Sequence, residues 1–262
     1  MAPPRRPGRR LSPARRGVLT VVGTGIRIGL QLTPESRAAI DAADELLYVN
    51  AEPLADRWAA ELHPRTRSLA SHYRVGVPRH EVYEAIVGAI LEPVREGRRI
   101  CAAFYGHPGV FVRPSHEAVR RARAEGHDAV MLPAISAEDC LFADLGVDPA
   151  LHGCASYDAT AFLARARPVD ATAALVLWQV AAIGETNAVA AGEHGRDLPR
   201  LVARLLELYP DDHEVVLYEA SPYPLVAPLV ERLTLAALTT AEPTPQATLY
   251  VPPLGTSAAS AR

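Results

Sequence analysis

From Gly17 to Pro253, short apolar runs alternate with stretches of helical periodicity, and this alternation confines the chain to an α/β architecture. Residues 18–22 read as a buried strand that ends in Gly23-Thr24-Gly25. Residues 34–43 read as a helix with Thr33 as its N-cap and Pro34 in its first turn. A second strand is expected at 46–49. Pro78 opens a long helix in which Ala85, Ile86, Ala89 and Ile90 recur at helical spacing, and Pro93 is expected to kink or end it. A strand at 100–104, a helix at 114–125 closed by Gly126, and a strand at 129–132 complete the first half.

After Ser136 the pattern shifts. A short helix at 137–144 leads into a connection through Pro149 and Gly153; strands follow at 173–178 and 214–218 with a helix at 198–208 between them. A last strand is expected at 248–251, before Pro252-Pro253. The pattern predicts two α/β lobes, 17–135 and 136–254, meeting near residues 133–137. Residues 1–16 carry six arginines, four prolines and no acid, and with 255–262 they are expected to be disordered tails.

Composition removes several classes of function. A net charge of -3 gives no overall attraction to nucleic acid or to an anionic membrane, and no apolar run is long enough to span a bilayer. Every basic residue is arginine, so Schiff-base lysine chemistry and the lysine of a P-loop are excluded. Cys101, Cys140 and Cys154 form no Cys-x-x-Cys pair, which fits a reduced cytoplasmic setting. The nine histidines show no metal-ligand spacing, and no Gly-x-Ser-x-Gly elbow exists.

Three segments remain as candidate sites. Gly23-Thr24-Gly25 follows a strand, but the third glycine of a dinucleotide fingerprint is misplaced. It reads equally as a close-packing turn or as one side of a cleft. Phe104-Tyr105-Gly106-His107-Pro108-Gly109-Val110-Phe111 is too apolar for an exposed loop and is read as a pocket wall at a strand end. Leu132-Pro133-Ala134-Ile135-Ser136-Ala137 repeats that strand-to-turn pattern. In the helix opened by Pro78, Arg79 and Tyr83 stand at i and i+4, presenting a guanidinium and a phenol on one face; by itself this is equally an arginine packed over a surface tyrosine.

The wording of these segments resembles the tetrapyrrole methylase superfamily and, within it, the borosin peptide-backbone N-methyltransferases. The match rests on Leu19-Thr20-Val21-Val22-Gly23-Thr24-Gly25-Ile26, on Phe104 to Phe111 with Pro114-Ser115-His116, and on Ser136-Ala137-Glu138-Asp139-Cys140-Leu141-Phe142-Ala143-Asp144-Leu145. The resemblance implies S-adenosylmethionine (SAM) in the cleft between two lobes, with S-adenosylhomocysteine as product. It implies cofactor contacts from Tyr105, His107, Val110, Phe111, Ser136, Ala137, Gln179, Tyr218, Ala220 and Thr248, and a catalytic group of Tyr73, Arg79, Tyr83 and Tyr105. It also implies a homodimer. Ala70 and Ala247 depart from the tyrosine and serine of the fungal members.

Because this sequence ends at Arg262 without a core segment, the expectation is a split system that methylates a separate precursor peptide in trans. Arg79 would hold the developing amide oxyanion with Tyr73 or Tyr105 as second donor, while Tyr83 accepts the amide proton. The apolar Val75 to Val77 loop is a candidate wall of a peptide channel. The alternatives are a methyltransferase acting on a small molecule such as a tetrapyrrole, with Arg74, Arg79 and Arg113 as the available cations, or a non-catalytic module that binds a precursor peptide.

Overall fold

Five segments of the first half lie side by side as an all-parallel sheet. In this computed structural model, which describes residues 16–50, 52–74, 76–165, 167–184 and 197–255, they are β1 (Val18–Gly23), β2 (Glu45–Val49), β3 (Thr66–Ser68), β4 (Arg99–Phe104) and β5 (Asp128–Met131). Their order is β3-β2-β4-β1-β5. Parallel strands need both faces covered. Alternate residues of the strands accordingly enter two cores. Leu19, Val21, Ile100 and Ala102 pack on α3 (Arg79–Arg95) and α4 (Arg113–Ala124), while Val22, Leu46, Cys101 and Ala103 pack towards α1 (Pro34–Asp41) and α2 (Pro53–Ala60).

The connection from β1 runs to β2 on one side and that from β4 runs to β5 on the other, so the adjacent ends of β1 and β4 form a topological switch point. In open α/β sheets a crevice opens at such a point, outside the carboxyl ends of the strands. The loops leaving those two ends are Gly23-Thr24-Gly25 and Tyr105 to Phe111.

The second sheet holds β6 (Cys154–Asp158), β7 (Ala174–Trp178), β8 (Glu214–Glu219), β9 (Leu229–Thr234) and β10 (Thr248–Val251) in the order β6-β7-β10-β8-β9. Only β6 and β7 are parallel. Leu175, Leu177, Val215, Leu217 and Leu249 face α7 (Ala159–Arg165) and α8 (Leu198–Leu206). Val176, Val216, Tyr218 and Tyr250 face α5 (Ala137–Leu145), and Ile26 from the first half packs into this same core. Further contacts tie the two halves: Ile28 N–H donates to the Pro222 carbonyl at 2.9 Å and the Tyr223 hydroxyl donates to Glu52 at 2.8 Å.

All the expected strands and helices are present near their expected positions. Thr33 caps α1 by accepting from Ser36 N–H, as its sequence position indicates. Pro93 does not end α3 at its own position: the helix runs two residues further, to Arg95. Several elements carry no clear sequence signal. β3, β6 and β9 are a three-residue strand and two outer strands with mixed polarity, and α2 is capped by Glu52, an uncommon cap, whose carboxylate accepts from Ala55 N–H at 2.6 Å. The connection through Pro149 holds a four-residue helix, α6 (Pro149–His152). Of the expected tails 1–16 and 255–262, residues 1–15 and 256–262 lie outside the described residues, as does Val75, while Arg16 is described and donates to the Gly126 carbonyl at 2.8 Å. No helix among the described residues is long and apolar enough to cross a membrane.

Candidate functional site

The cleft at the switch point is built by close approach of backbones. Thr24 N–H donates to the Phe104 carbonyl at 2.9 Å, and Gly25 and Gly106 exchange two backbone hydrogen bonds of 3.3 and 3.0 Å. A Cβ on Gly23 would lie 2.1 Å from the Gly106 carbonyl oxygen, 2.5 Å from Ala134 Cβ and 2.8 Å from Pro108 Cδ. The Gly-Thr-Gly turn therefore permits close packing against the loop that forms one wall of the cleft, without itself lining that cleft.

The wall is held rigidly from behind. The buried Ser115 hydroxyl, in the first turn of α4, is hydrogen-bonded to the Pro108 and Val112 carbonyls. A ring nitrogen of His116, Nε2, lies 2.9 Å from the Gly109 carbonyl. His107 Nδ1 accepts from Gly109 N–H at 2.9 Å, so a neutral His107 carries its proton on Nε2.

From the other half come the N-terminus of α5 and the end of β7. Ser136 and Asp139 form a reciprocal capping box, with the Ser136 hydroxyl and amide each 2.7 Å from the Asp139 carboxylate. Trp178 is fixed by donation from Nε1 to the Ser156 hydroxyl at 2.7 Å, and its ring meets Phe111 at a centroid distance of 5.2 Å. The Thr244 hydroxyl is bonded to Glu219, which places Pro245 and Gln246 at the rim.

These residues enclose about 270 Å³ lined by Tyr105, Gly106, His107, Val110, Phe111, Val112, Ser136, Ala137, Trp178, Gln179, Pro245 and Gln246. Two non-glycine residues among those described have positive φ, Phe111 at 56° and Gln179 at 58°, and both line this cleft. Left-handed backbone at a bulky residue costs on the order of 1–2 kcal/mol and persists only where surroundings enforce it.

Of the ten expected cofactor contacts, Tyr105, His107, Val110, Phe111, Ser136, Ala137 and Gln179 stand on the cleft wall. Tyr218, Ala220 and Thr248 do not line it: all three are buried, and the Tyr218 hydroxyl donates to Asp144 at 2.7 Å. Trp178 and Gly106 were legible as the end of an apolar strand and as a turn glycine, but neither was singled out. Pro245 and Gln246 carry no sequence signal, because their place at the cleft is set by long-range contacts such as the bond from Thr244 to Glu219.

Arg79 begins α3 and Tyr83 follows one turn later on the same face. Tyr73, Arg79 and Tyr83 are not among the residues that line the cleft, but Arg79 Nη1 donates to Oε1 of Gln179, which does, at 3.4 Å. Burial pushes the Tyr73 phenol up to about 12, with the Tyr83 phenol adding to the rise and the Arg79 guanidinium opposing it, so the three groups share one electrostatic environment. Burial, then Cys140 and Glu219, push Tyr105 up to about 12 as well. Val77 packs against the first sheet's core rather than standing as a free wall. Among the described residues no three His, Cys, Asp or Glu side chains gather as a metal site.

Beside the Tyr209, Tyr218 and Tyr250 phenols, which burial also raises, two phenols of the site contribute to a loss of stability at alkaline pH: Tyr73 and Tyr105. Their ordinary value is 10.0 and both are raised in the fold, so between pH 10 and 12 the folded chain keeps protons that the unfolded chain has lost. Their stabilising contribution is complete below pH 10 and declines as pH rises towards 12. Thermal melts across that window should show Tm falling faster for wild type than for the Tyr73→Phe, Tyr105→Phe double variant; parallel curves would contradict the assignment.

Comparison with known proteins fits this geometry. Residues 18–224 match the family of tetrapyrrole (corrin/porphyrin) methylases. Over 241 residues the chain is 40% identical to the methyltransferase/ribosomally synthesized cyclic peptide gymnopeptides precursor of Gymnopus fusipes, covering 90% of this chain and 57% of that protein. It is 38% identical over 241 residues to the corresponding omphalotin A precursor of Omphalotus olearius, covering 90% of this chain and 58% of that protein. The chain thus spans a little over half the length of these relatives. Among solved structures, the methyltransferase CobJ superposes with a TM-score of 0.64 at 19% identity, over 92% of this chain and 96% of that one. A uroporphyrin-III C-methyltransferase from Thermus thermophilus, complexed with S-adenosylhomocysteine, gives 0.63 at 20% identity over 90% and 97%. At such identities the likeness establishes the fold.

Proposed function

The chain belongs to the tetrapyrrole (corrin/porphyrin) methylase family, and from that premise we propose that it is a SAM-dependent N-methyltransferase acting on backbone amides of a ribosomally made precursor peptide. The peptide is supplied as a separate chain, and the enzyme works in the cytoplasm as a homodimer. The observation that carries the reading is the hydrogen bond from Arg79 to Gln179, which joins the arginine–tyrosine group of α3 to the wall of the cleft.

The cleft suits the cofactor chemically. Phe111 and Trp178 offer π-faces to a purine or a sulfonium, and the amide groups at the start of α5 favour a carboxylate. Tyr105, His107, Val110, Ala137 and Gln179 complete the set that would hold it. When bound, the cofactor supplies an electrophilic methyl group.

An amide nitrogen is a poor nucleophile because its lone pair is delocalised into the carbonyl. The protein's task is to stabilise the imidate-like form at the moment of transfer. Arg79 directs a guanidinium at the amide oxygen, where negative charge develops. Tyr73 and Tyr105, held protonated by their raised pKa values, act as further hydrogen-bond donors. Tyr83, one helical turn from Arg79, acts in its phenolate form as the base that takes the proton leaving the nitrogen and becomes the neutral phenol. The half-exposed rings of Tyr73, Tyr105 and Phe111 give the rim an apolar surface for an extended peptide.

The test is co-expression of this chain with the peptide encoded by a neighbouring small open reading frame, followed by tandem mass spectrometry. Mass gains in whole methyl units, localised to backbone nitrogens, are the expected result. Side-chain methylation would overturn the reaction class. A peptide that co-purifies unmodified would support a binding module instead.

A further inference from the structure

Gln179 is built in a way that cofactor contact alone does not require. It ends β7 in left-handed backbone, φ 58° and ψ 38°, the conformation that glycine adopts most readily. A glutamine there is retained at a conformational cost, so its side chain must have a use that glycine lacks. Its amide oxygen accepts from Arg79 Nη1, 100 residues away in sequence and at the start of α3. Among the described residues Arg79 has no carboxylate within ion-pair distance, whereas eleven other arginine–carboxylate contacts are formed elsewhere in the molecule. The partner of Arg79 is thus a neutral acceptor.

That choice has a chemical consequence. A carboxylate in the same place would fix the guanidinium but cancel its charge, and the charge is what a developing oxyanion needs. A neutral amide oxygen fixes one Nη–H and leaves the charge and the remaining donors available. We propose that Gln179 is the positioning residue for Arg79: its left-handed backbone aims the side-chain carbonyl at the start of α3, orienting the guanidinium towards the substrate amide without neutralising it. The inference rests on the reading of Arg79 given above.

Two substitutions separate this role from a structural one. Gln179→Gly relieves the backbone and deletes the acceptor, so Tm is retained or raised while turnover falls. Gln179→Glu keeps the reach and adds a charge, so Arg79 is captured and turnover falls for the opposite reason. With a synthetic peptide copying the precursor segment of the Gymnopus fusipes relative, kcat at saturating SAM should drop roughly tenfold or more in both variants, since small misplacements of a catalytic group cost that much. Because Gln179 also lines the cofactor cleft, the Kd for SAM should rise in these variants, and the diagnostic is that kcat falls even when SAM is saturating.

A structure of Gln179→Gly with S-adenosylhomocysteine, which needs no peptide turnover, should show the Arg79 guanidinium displaced from its wild-type position. The proposal is overturned if that guanidinium has not moved. It is also overturned if kcat at saturating SAM is unchanged while only Kd rises, because Gln179 would then be a cofactor contact. Wild-type turnover in Arg79→Ala would instead overturn the underlying reading of Arg79.

Discussion

Replacing Arg79 by alanine should lower methyl transfer by roughly 10²- to 10³-fold, the loss typical of removing one oxyanion-stabilising donor. Binding of SAM, measured by calorimetry, should remain close to wild type. The separation is expected because Arg79 stands on α3 and reaches the cleft through Gln179, while the side chains of the cleft wall itself are left intact. Tyr83→Phe should behave in the same direction, as it keeps the ring that packs on the first sheet's core and removes only the hydroxyl. A variant at either position that turns over at the wild-type rate would remove that residue from the mechanism.

The largest effect on stability is expected from Gly23→Ala. The added Cβ would meet the Gly106 carbonyl oxygen at 2.1 Å, and it would also press on Ala134 and Pro108. None of these neighbours is the end of a flexible side chain. Relief requires the Tyr105–Phe111 loop to move away from β1, which breaks the Gly25–Gly106 bridge and opens the cleft. Overpacking costs about 1–3 kcal/mol and occasionally more; at about 3 kcal/mol, the upper end of that typical range, Tm in a domain of this size falls by roughly 6–12 °C. The variant should lose SAM binding along with stability. Gly88→Ala is the matched control: it lies within α3 with nothing within 4 Å of the added Cβ, so it should stabilise by about 0.5–1 kcal/mol. If Gly23→Ala melts like Gly88→Ala, the close approach at the switch point is not a constraint on the fold.

Much of the site was legible because its segments are local. The run Tyr105 to Phe111 is one loop, Ser136-Ala137 is one helix cap, and Arg79 and Tyr83 are one turn of one helix; the local structure of each follows from neighbours in sequence, whereas the roles were implied by the resemblance. Tyr218, Ala220 and Thr248, also implied by the resemblance, do not line the cleft. Each sits on or beside a strand of the second sheet, and which side of a mixed sheet meets a cleft depends on the helix that covers the other side. Tyr218 is covered by α5, so its hydroxyl is committed to Asp144 instead of the cleft wall. The missed elements have a similar cause, since β6 and β9 lie at the edges of the second sheet and lack the continuous apolar run of a central strand.

The sequence by itself determined the alternation that makes an α/β chain, the turn glycines, the helix caps and the residue types that carry the chemistry. These are set by hydrophobic period and by backbone sterics acting over a few residues. Tertiary structure alone decided that β1 and β4 would be neighbours with their loops leaving at a common switch point. It also decided that Glu219 would hold Pro245 and Gln246 at the rim, and that Gln179 would meet Arg79 across 100 residues of sequence. No local rule encodes such meetings: they arise when the two halves pack together, with Ile26 of the first buried in a core of the second, and bring distant loops to one side of the molecule.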